Sequence, residues 1–143
     1  MENIPLKYWS YLQKGETIEH EGITLYPEMV LGPERRPIKV VYCTDTKSVS
    51  GLTDFIYGAD LFICEGLYGE DEKREKAKEH FHSIFSEAAG YARDGMVREL
   101  WLTHYSPALT NPEIYMDETR KIFPAAKPGY DRMNKTLRFI DEL

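Results

Sequence analysis

The sequence predicts an α/β fold with a largely parallel sheet. Three observations predict it. Apolar runs of strand length alternate with helical segments in the order strand, helix, strand, helices, strand, helix, strand. The runs at 38–43, 60–64 and 99–103 are dominated by apolar residues, as strands buried on both faces are. Beyond each run stands a residue able to do chemistry, Asp45, Glu65 and His104. In open α/β sheets ligands bind beyond the carboxyl ends of the strands.

The elements follow in chain order. Residues 1–37 read as an irregular lead-in. Lys14-Gly15 and Glu21-Gly22 punctuate two alternating stretches, ETIEH and ITLYP, which predict a small hairpin. The two prolines of LGPERRP forbid a regular element there. Tyr8, Trp9 and Tyr11 are dense for a lead-in and need a surface to pack on.

The core reads as 38–143. IKVVYC is a β-branched run of strand length. SGLTDFIYG reads as a short helix, with Ser50 as N-cap and Gly58 as stop. ADLFICE is a second buried strand. EDEKREKAKEHF reads as a solvated helix with i,i+4 ion pairs such as Glu72 with Lys76. SIFSEAAGYARDG is amphipathic: Ile84, Ala88, Ala89 and Ala92 share one face, and Gly95 ends it. ELWLTH is a third strand. Asn111-Pro112-Glu113 supplies a cap, an N1 proline and an acid, and predicts a helix running to about Phe123. TLRFID is expected as a fourth strand.

The chain has 143 residues, 42% of them hydrophobic and 13% aromatic, which suits a single globular domain or one large piece of one. No apolar run reaches membrane-spanning length, and MENIPLKYWS has no signal-peptide character, so a cytoplasmic protein is expected. A formal net charge of −6 argues against a chain that grips a polyanion on its own. Cys43 and Cys64 each end an apolar run. Neighbouring parallel strands could bring them close, but buried structural thiols are the expected reading, since cytosolic pairs stay reduced.

Three residues are candidates for chemistry on their own context. Asp45, in YCTDT, can bridge two hard or borderline cations, though the more ordinary role of an aspartate there is to cap the next turn through Thr46 and Ser48. His104, thrown out of an apolar strand before Ser-Pro, suits a metal ligand or a histidine satisfied by backbone. His82 precedes a helix and could act as a general acid tuned by Glu65. His20 and His80 have no such context and are expected at the surface. No HxH, HExxH, GxSxG or Walker A pattern occurs. Asp45 and His104 give two metal ligands at most, fewer than a stable zinc site uses, so little tightly held metal is expected.

Taken in order, VVYCTDT, ADLFICEG, HSIFSEAA and LWLTHYSP resemble the second half of bacterial ribonuclease Z, of the metallo-β-lactamase superfamily. The stretch before Asp45 and the helix NPEIYMDETRKIFP resemble the same family, so the likeness covers nearly the whole chain. It implies one half of an αββα sandwich, a site for two zinc ions, and cutting of the 3′ trailer from precursor tRNA. It also assigns roles: Asp45 matches the metal-bridging aspartate and His104 the last zinc histidine. His82 matches the histidine that protonates the leaving oxygen, and Glu65 sits where a carboxylate would orient it. The family's HxHxDH motif is not in this sequence, so a chain inactive by itself is expected. Thr44 stands for the family's glycine, Ile84 for a threonine, and Ala108-Leu109 for Arg-Tyr. Association with an N-terminal half or a homodimer would cover the sheet face that a half-sandwich exposes. A non-catalytic self-associating module and another hydrolase of the superfamily are the alternatives.

Overall fold

Four short apolar runs pair into one parallel sheet in the computed structural model, which describes residues 4–32 and 35–139. The chain forms two compact units, Met1–Arg36 and Pro37–Leu143.

The first unit holds helix α1 (Leu6–Leu12) and a hairpin of β1 (Ile18–His20) and β2 (Ile23–Leu25). The hairpin is where the alternating stretches predict it. Its two turn residues, Glu21 and Gly22, have φ of 52° and 79°. Two consecutive positive φ values match the twist of a two-residue hairpin, and glycine takes the second without Cβ strain. Helix α1 replaces the irregular segment expected there. Its density of Tyr and Trp masked a helix, because aromatics are mediocre helix formers. Tyr8 finds its surface on the hairpin: its hydroxyl lies 3.1 Å from His20 Nδ1.

The second unit begins with β3 (Val40–Cys43) and helix α2 (Leu52–Ile56). Strand β4 (Leu61–Glu65) and helix α3 (Arg74–Glu79) follow, then helix α4 (Phe85–Asp94) and strand β5 (Leu100–Thr103). Helix α5 (Met116–Ile122) and strand β6 (Ala126–Pro128) complete it. The sheet order is β3-β4-β5-β6, all parallel.

One sheet face is packed. Val41, Phe62, Cys64, Leu100 and Leu102 form a single core with Ile56, Phe85, Ala88, Ala89, Ala92 and Met116. The small side chains of α4 let its backbone come close to the sheet. They are the face that helical periodicity marked out, and Ile84, Ala88, Ala89 and Ala92 are all fully buried. At edge strand β3 the other face is open: Val40 is 50% and Tyr42 65% exposed. Alternation along β3 produces this, since successive side chains leave on opposite faces.

Three expectations are corrected. The fourth strand is β6, whereas residues 136–139 of TLRFID form no regular element and the rest lies outside the described residues. Ala126–Pro128 carries too few apolar residues to signal a strand, and its pairing to β5 comes from tertiary contact. The charged segment is broken into a 3-10 turn at Asp71–Lys73 and the six-residue α3. Its ion pairs run i,i+3, Glu70 with Lys73, Asp71 with Arg74 and Glu75 with Lys78, rather than Glu72 with Lys76. Helix α2 starts at Leu52 with Gly51 at the N-cap in place of Ser50, while Gly58 follows its last turn as expected.

Buried Glu99 holds the strand that leads to the site. It accepts from Trp101 Nε1 at 2.6 Å and pairs with Lys127 at 3.1 Å and with Lys135. Burial alone would raise its carboxyl, but the donors outweigh it and hold the group below its ordinary 4.5. A depressed folded value gives stability that is present above 4.5 and lost as pH falls through the folded value. Glu99→Ala is therefore expected to cost about 2 kcal/mol at neutral pH, by leaving three donors unpaired. The gap to wild type should narrow in acid. Urea midpoints across pH check this, and a neutral-pH loss under about 0.5 kcal/mol would refute it.

Candidate metal and acid–base site

The site lies at the carboxyl rim of the sheet. Asp45 stands two residues past β3, Glu65 is the last residue of β4, and His104 directly follows β5. His82 arrives from the turn before α4. Parallel pairing in register sets the rim level, with Cys43 opposite Cys64 and Glu65 opposite Thr103.

The backbone bends sharply at each ligand. Asp45 and His104 have φ of 50° and 57°, and Phe81, just before His82, has 63°. L-residues avoid this region, at a cost of about 1–3 kcal/mol each when held there. The bends turn the side chains back over the strand ends.

The contacts are short. His104 Nε2 lies 2.9 Å from Asp45 Oδ1. The His82 and His104 rings stack with centroids 5.3 Å apart. One ligand atom from each of Asp45, His82 and His104 can be chosen so that all lie within 4.8 Å of one another. Asp45 and His104 are exposed and His82 is half-buried, so the group faces solvent.

Glu65 is the buried support. Its carboxylate is fully buried; Oε1 accepts from the Thr46 N–H at 2.7 Å, and Oε2 lies 2.9 Å from His82 Nδ1. One carboxylate thus fixes both the loop that carries Asp45 and the ring of His82. Burial pushes its carboxyl above the ordinary 4.5, and the bonds from His82 and Thr46 offset only part of that. The Ser83 hydroxyl donates to the Thr46 carbonyl at 2.9 Å, which closes the link between the two loops.

Next to His104 in the chain, the half-buried Tyr105 hydroxyl donates to the Leu102 carbonyl at 2.6 Å and accepts from the Gly129 N–H at 2.8 Å. Burial pushes its phenol up to about 12, so it stays protonated. A Cβ on Gly129 would stand 2.7 Å from the Leu102 carbonyl oxygen, so glycine is required for this approach.

All four residues singled out from sequence sit within this one constellation. His20 pairs with Tyr8 in the first unit, and His80 is exposed outside the group. The expected count of two metal-competent groups rises to three with His82. The residues that sequence reasoning missed are Thr46, Ser83, Tyr105 and Gly129. They act through backbone atoms or through partners remote in sequence, and no local pattern marks them.

The donor set tests well against a divalent cation. One carboxylate oxygen and two imidazole nitrogens suit zinc, iron or manganese. Three protein ligands with open positions is the arrangement of catalytic rather than structural zinc sites. A histidine whose other ring nitrogen meets a carboxylate is also usual beside metals.

No protein-family model matches the chain. It is 54% identical over 140 residues to ribonuclease Z of Lachnoclostridium phytofermentans, covering 97% of this chain and 46% of that protein. With ribonuclease Z of Clostridium acetobutylicum it shares 52% over 136 residues, covering 95% of this chain and 44% of that protein. The chain therefore spans about half the length of the curated relatives it matches. The metallo-beta-lactamase fold protein YhfI from Bacillus subtilis matches 62% of this chain and 35% of its own, with a TM-score of 0.54 and 24% identity. Among the described residues, no helix is long and apolar enough to cross a membrane. The likeness in fold and the high identity along nearly the whole chain agree, and this chain belongs to the ribonuclease Z family of the metallo-β-lactamase fold, whose C-terminal half it matches.

Proposed function

We propose that the chain supplies one half of a metal-dependent endoribonuclease site that trims the 3′ trailer from precursor tRNA. One observation carries this reading: Asp45, His82 and His104 converge to within 4.8 Å, with Glu65 seated behind His82. Asp45 and His104 would hold a divalent cation, zinc by their chemistry and by the family. When bound, such a cation polarises a phosphodiester and stabilises the charge that grows on its oxygens.

The chain's own groups do the rest. His82 presents the ring nitrogen not engaged by Glu65 to the substrate side and protonates the leaving oxygen. Glu65 fixes the ring through its 2.9 Å contact with Nδ1. Ser83 and Thr46 keep the Asp45 loop and the His82 turn in one frame. The remaining ligands, and the cations that grip tRNA phosphates, belong to the other half of the family domain, since this chain is acidic. That half, seated on the face where Val40 and Tyr42 are exposed, is the partner this reading favours over a second copy. The reading also takes the cytoplasm as the setting, where disulfides are rare and both thiols are free in this structure.

A chimera tests it. The matching half of the Lachnoclostridium phytofermentans enzyme is replaced by this chain and assayed on precursor tRNA. The chimera is expected to cleave at the trailer, and His82→Ala in it to lose about 10²–10⁴-fold in kcat. A folded, metal-loaded chimera with no cleavage, beside an active parent, would sink the reading.

A further inference from the structure

Cys43 and Cys64 face each other across the β3–β4 pair, in direct register on the packed side of the sheet. Neighbouring strands lie about 4.8 Å apart, within the Cα separation of disulfides. Both side chains leave their strands toward the same packed core. Their surroundings differ. Cys43 is half-buried on the edge strand, whereas Cys64 is 2% exposed in the core. A small oxidant can reach the first and not the second.

We propose that Cys43 and Cys64 are a reversible oxidation site, in which Cys43 takes the oxidant and Cys64 resolves it as a cross-strand disulfide. With a peroxide as oxidant, the Cys43 sulfur attacks the O–O bond and becomes a sulfenic acid, releasing water from hydrogen peroxide. The Cys64 sulfur then displaces the sulfenic oxygen, which leaves as a second water with the Cys64 proton. Two thiols and one peroxide yield one disulfide and two waters. The resolving thiol stands directly opposite on the neighbouring strand, so the second step needs little more than side-chain rotation to join the two sulfurs. Adjacent-strand spacing lies at the short end of the Cα separations disulfides adopt, so a bridge here is strained and readily reduced. Cys43 lies two residues before Asp45 and Cys64 directly precedes Glu65, so the bridge forms at the foot of the rim. The proposal does not depend on the function assigned to that rim.

The experiment treats the whole folded chain with a modest excess of hydrogen peroxide and reads intact mass and free thiols. Expected are a loss of about two mass units, the loss of both thiols, a linked Cys43–Cys64 peptide, and full recovery with dithiothreitol. In Cys64→Ala, Cys43 should remain as a sulfenic acid that a cyclic 1,3-diketone traps. The wild-type reading stands without that variant if it folds poorly. Three outcomes overturn the proposal: sulfinic or sulfonic acid on Cys43 with Cys64 still free, bridges only between chains, or a bridge that appears only after unfolding in urea.

Discussion

Replacing Glu65 by alanine is expected to destabilise the chain by about 3 kcal/mol or more, the largest stability loss among the rim residues. The carboxylate is fully buried and serves two partners, Thr46 N–H at 2.7 Å and His82 Nδ1 at 2.9 Å. Alanine leaves both unpaired and opens a cavity beside the rim. Glutamine behaves differently. Its oxygen still accepts from Thr46, and its amide N–H can donate to His82 Nδ1 once that nitrogen has no proton. Glu65→Gln should therefore cost about 1 kcal/mol or less.

The two proteins should also respond differently to pH. Burial raises Glu65 above its ordinary 4.5, so the folded chain holds that proton more tightly than the unfolded chain. Such a group contributes most below 4.5 and loses the contribution as pH rises through its folded value. The glutamine variant has no proton to lose there. Wild-type stability should thus fall relative to Glu65→Gln as pH rises from 4.5 toward neutrality. Urea unfolding of the three proteins at several pH values decides it. Equal midpoints for the alanine and glutamine variants would mean that Glu65 contributes no specific pairing.

The second large effect concerns cation affinity. Titrated with zinc in a calorimeter, the chain is expected to bind about one ion through the Asp45–His82–His104 group. Asp45→Ala and His104→Ala should each weaken binding by about 100-fold or more, beyond the 10–100-fold typical of a supporting residue. His82→Ala separates two roles that geometry allows. A loss as large as that of His104→Ala makes His82 a ligand in this chain. A change within about threefold leaves it free as an acid. Unaltered zinc binding in both Asp45→Ala and His104→Ala would remove the metal reading altogether.

How much of this was legible in the sequence depends on the kind of signal. Local signals survived. The apolar runs around Val41, Phe62 and Leu102 became strands, and the alanines of α4 became its buried face. The Asn111 side chain accepts from Glu113 N–H at 3.2 Å, but it caps a 3-10 turn at Pro112–Tyr115 that leads into α5 rather than one continuous helix. Asp45, Glu65 and His104 could be placed at one rim because parallel strands of one sheet all end at the same edge. Its context ties His82 to Glu65 as a candidate acid, but its role beside Asp45 and His104 comes from likeness to a family, since nothing local says that the turn before α4 reaches the same edge.

Long-range signals were not legible. Ala126–Pro128 is a strand because β5 offers it an open edge, whereas residues 136–139 of TLRFID form no regular element. Glu99 reads as a stray acid in a strand until Lys127 and Lys135 arrive beside it. The sequence by itself determined the α/β class, the packed face and the identity of the chemical groups, because hydrophobic periodicity and residue chemistry are local properties. Tertiary structure alone decided their geometry: the backbone bends at Asp45 and His104, the buried carboxylate that serves two loops, and the placing of Cys43 opposite Cys64. Each of these is a pairing between segments distant in the chain, and its energy exists only once the sheet has brought them together.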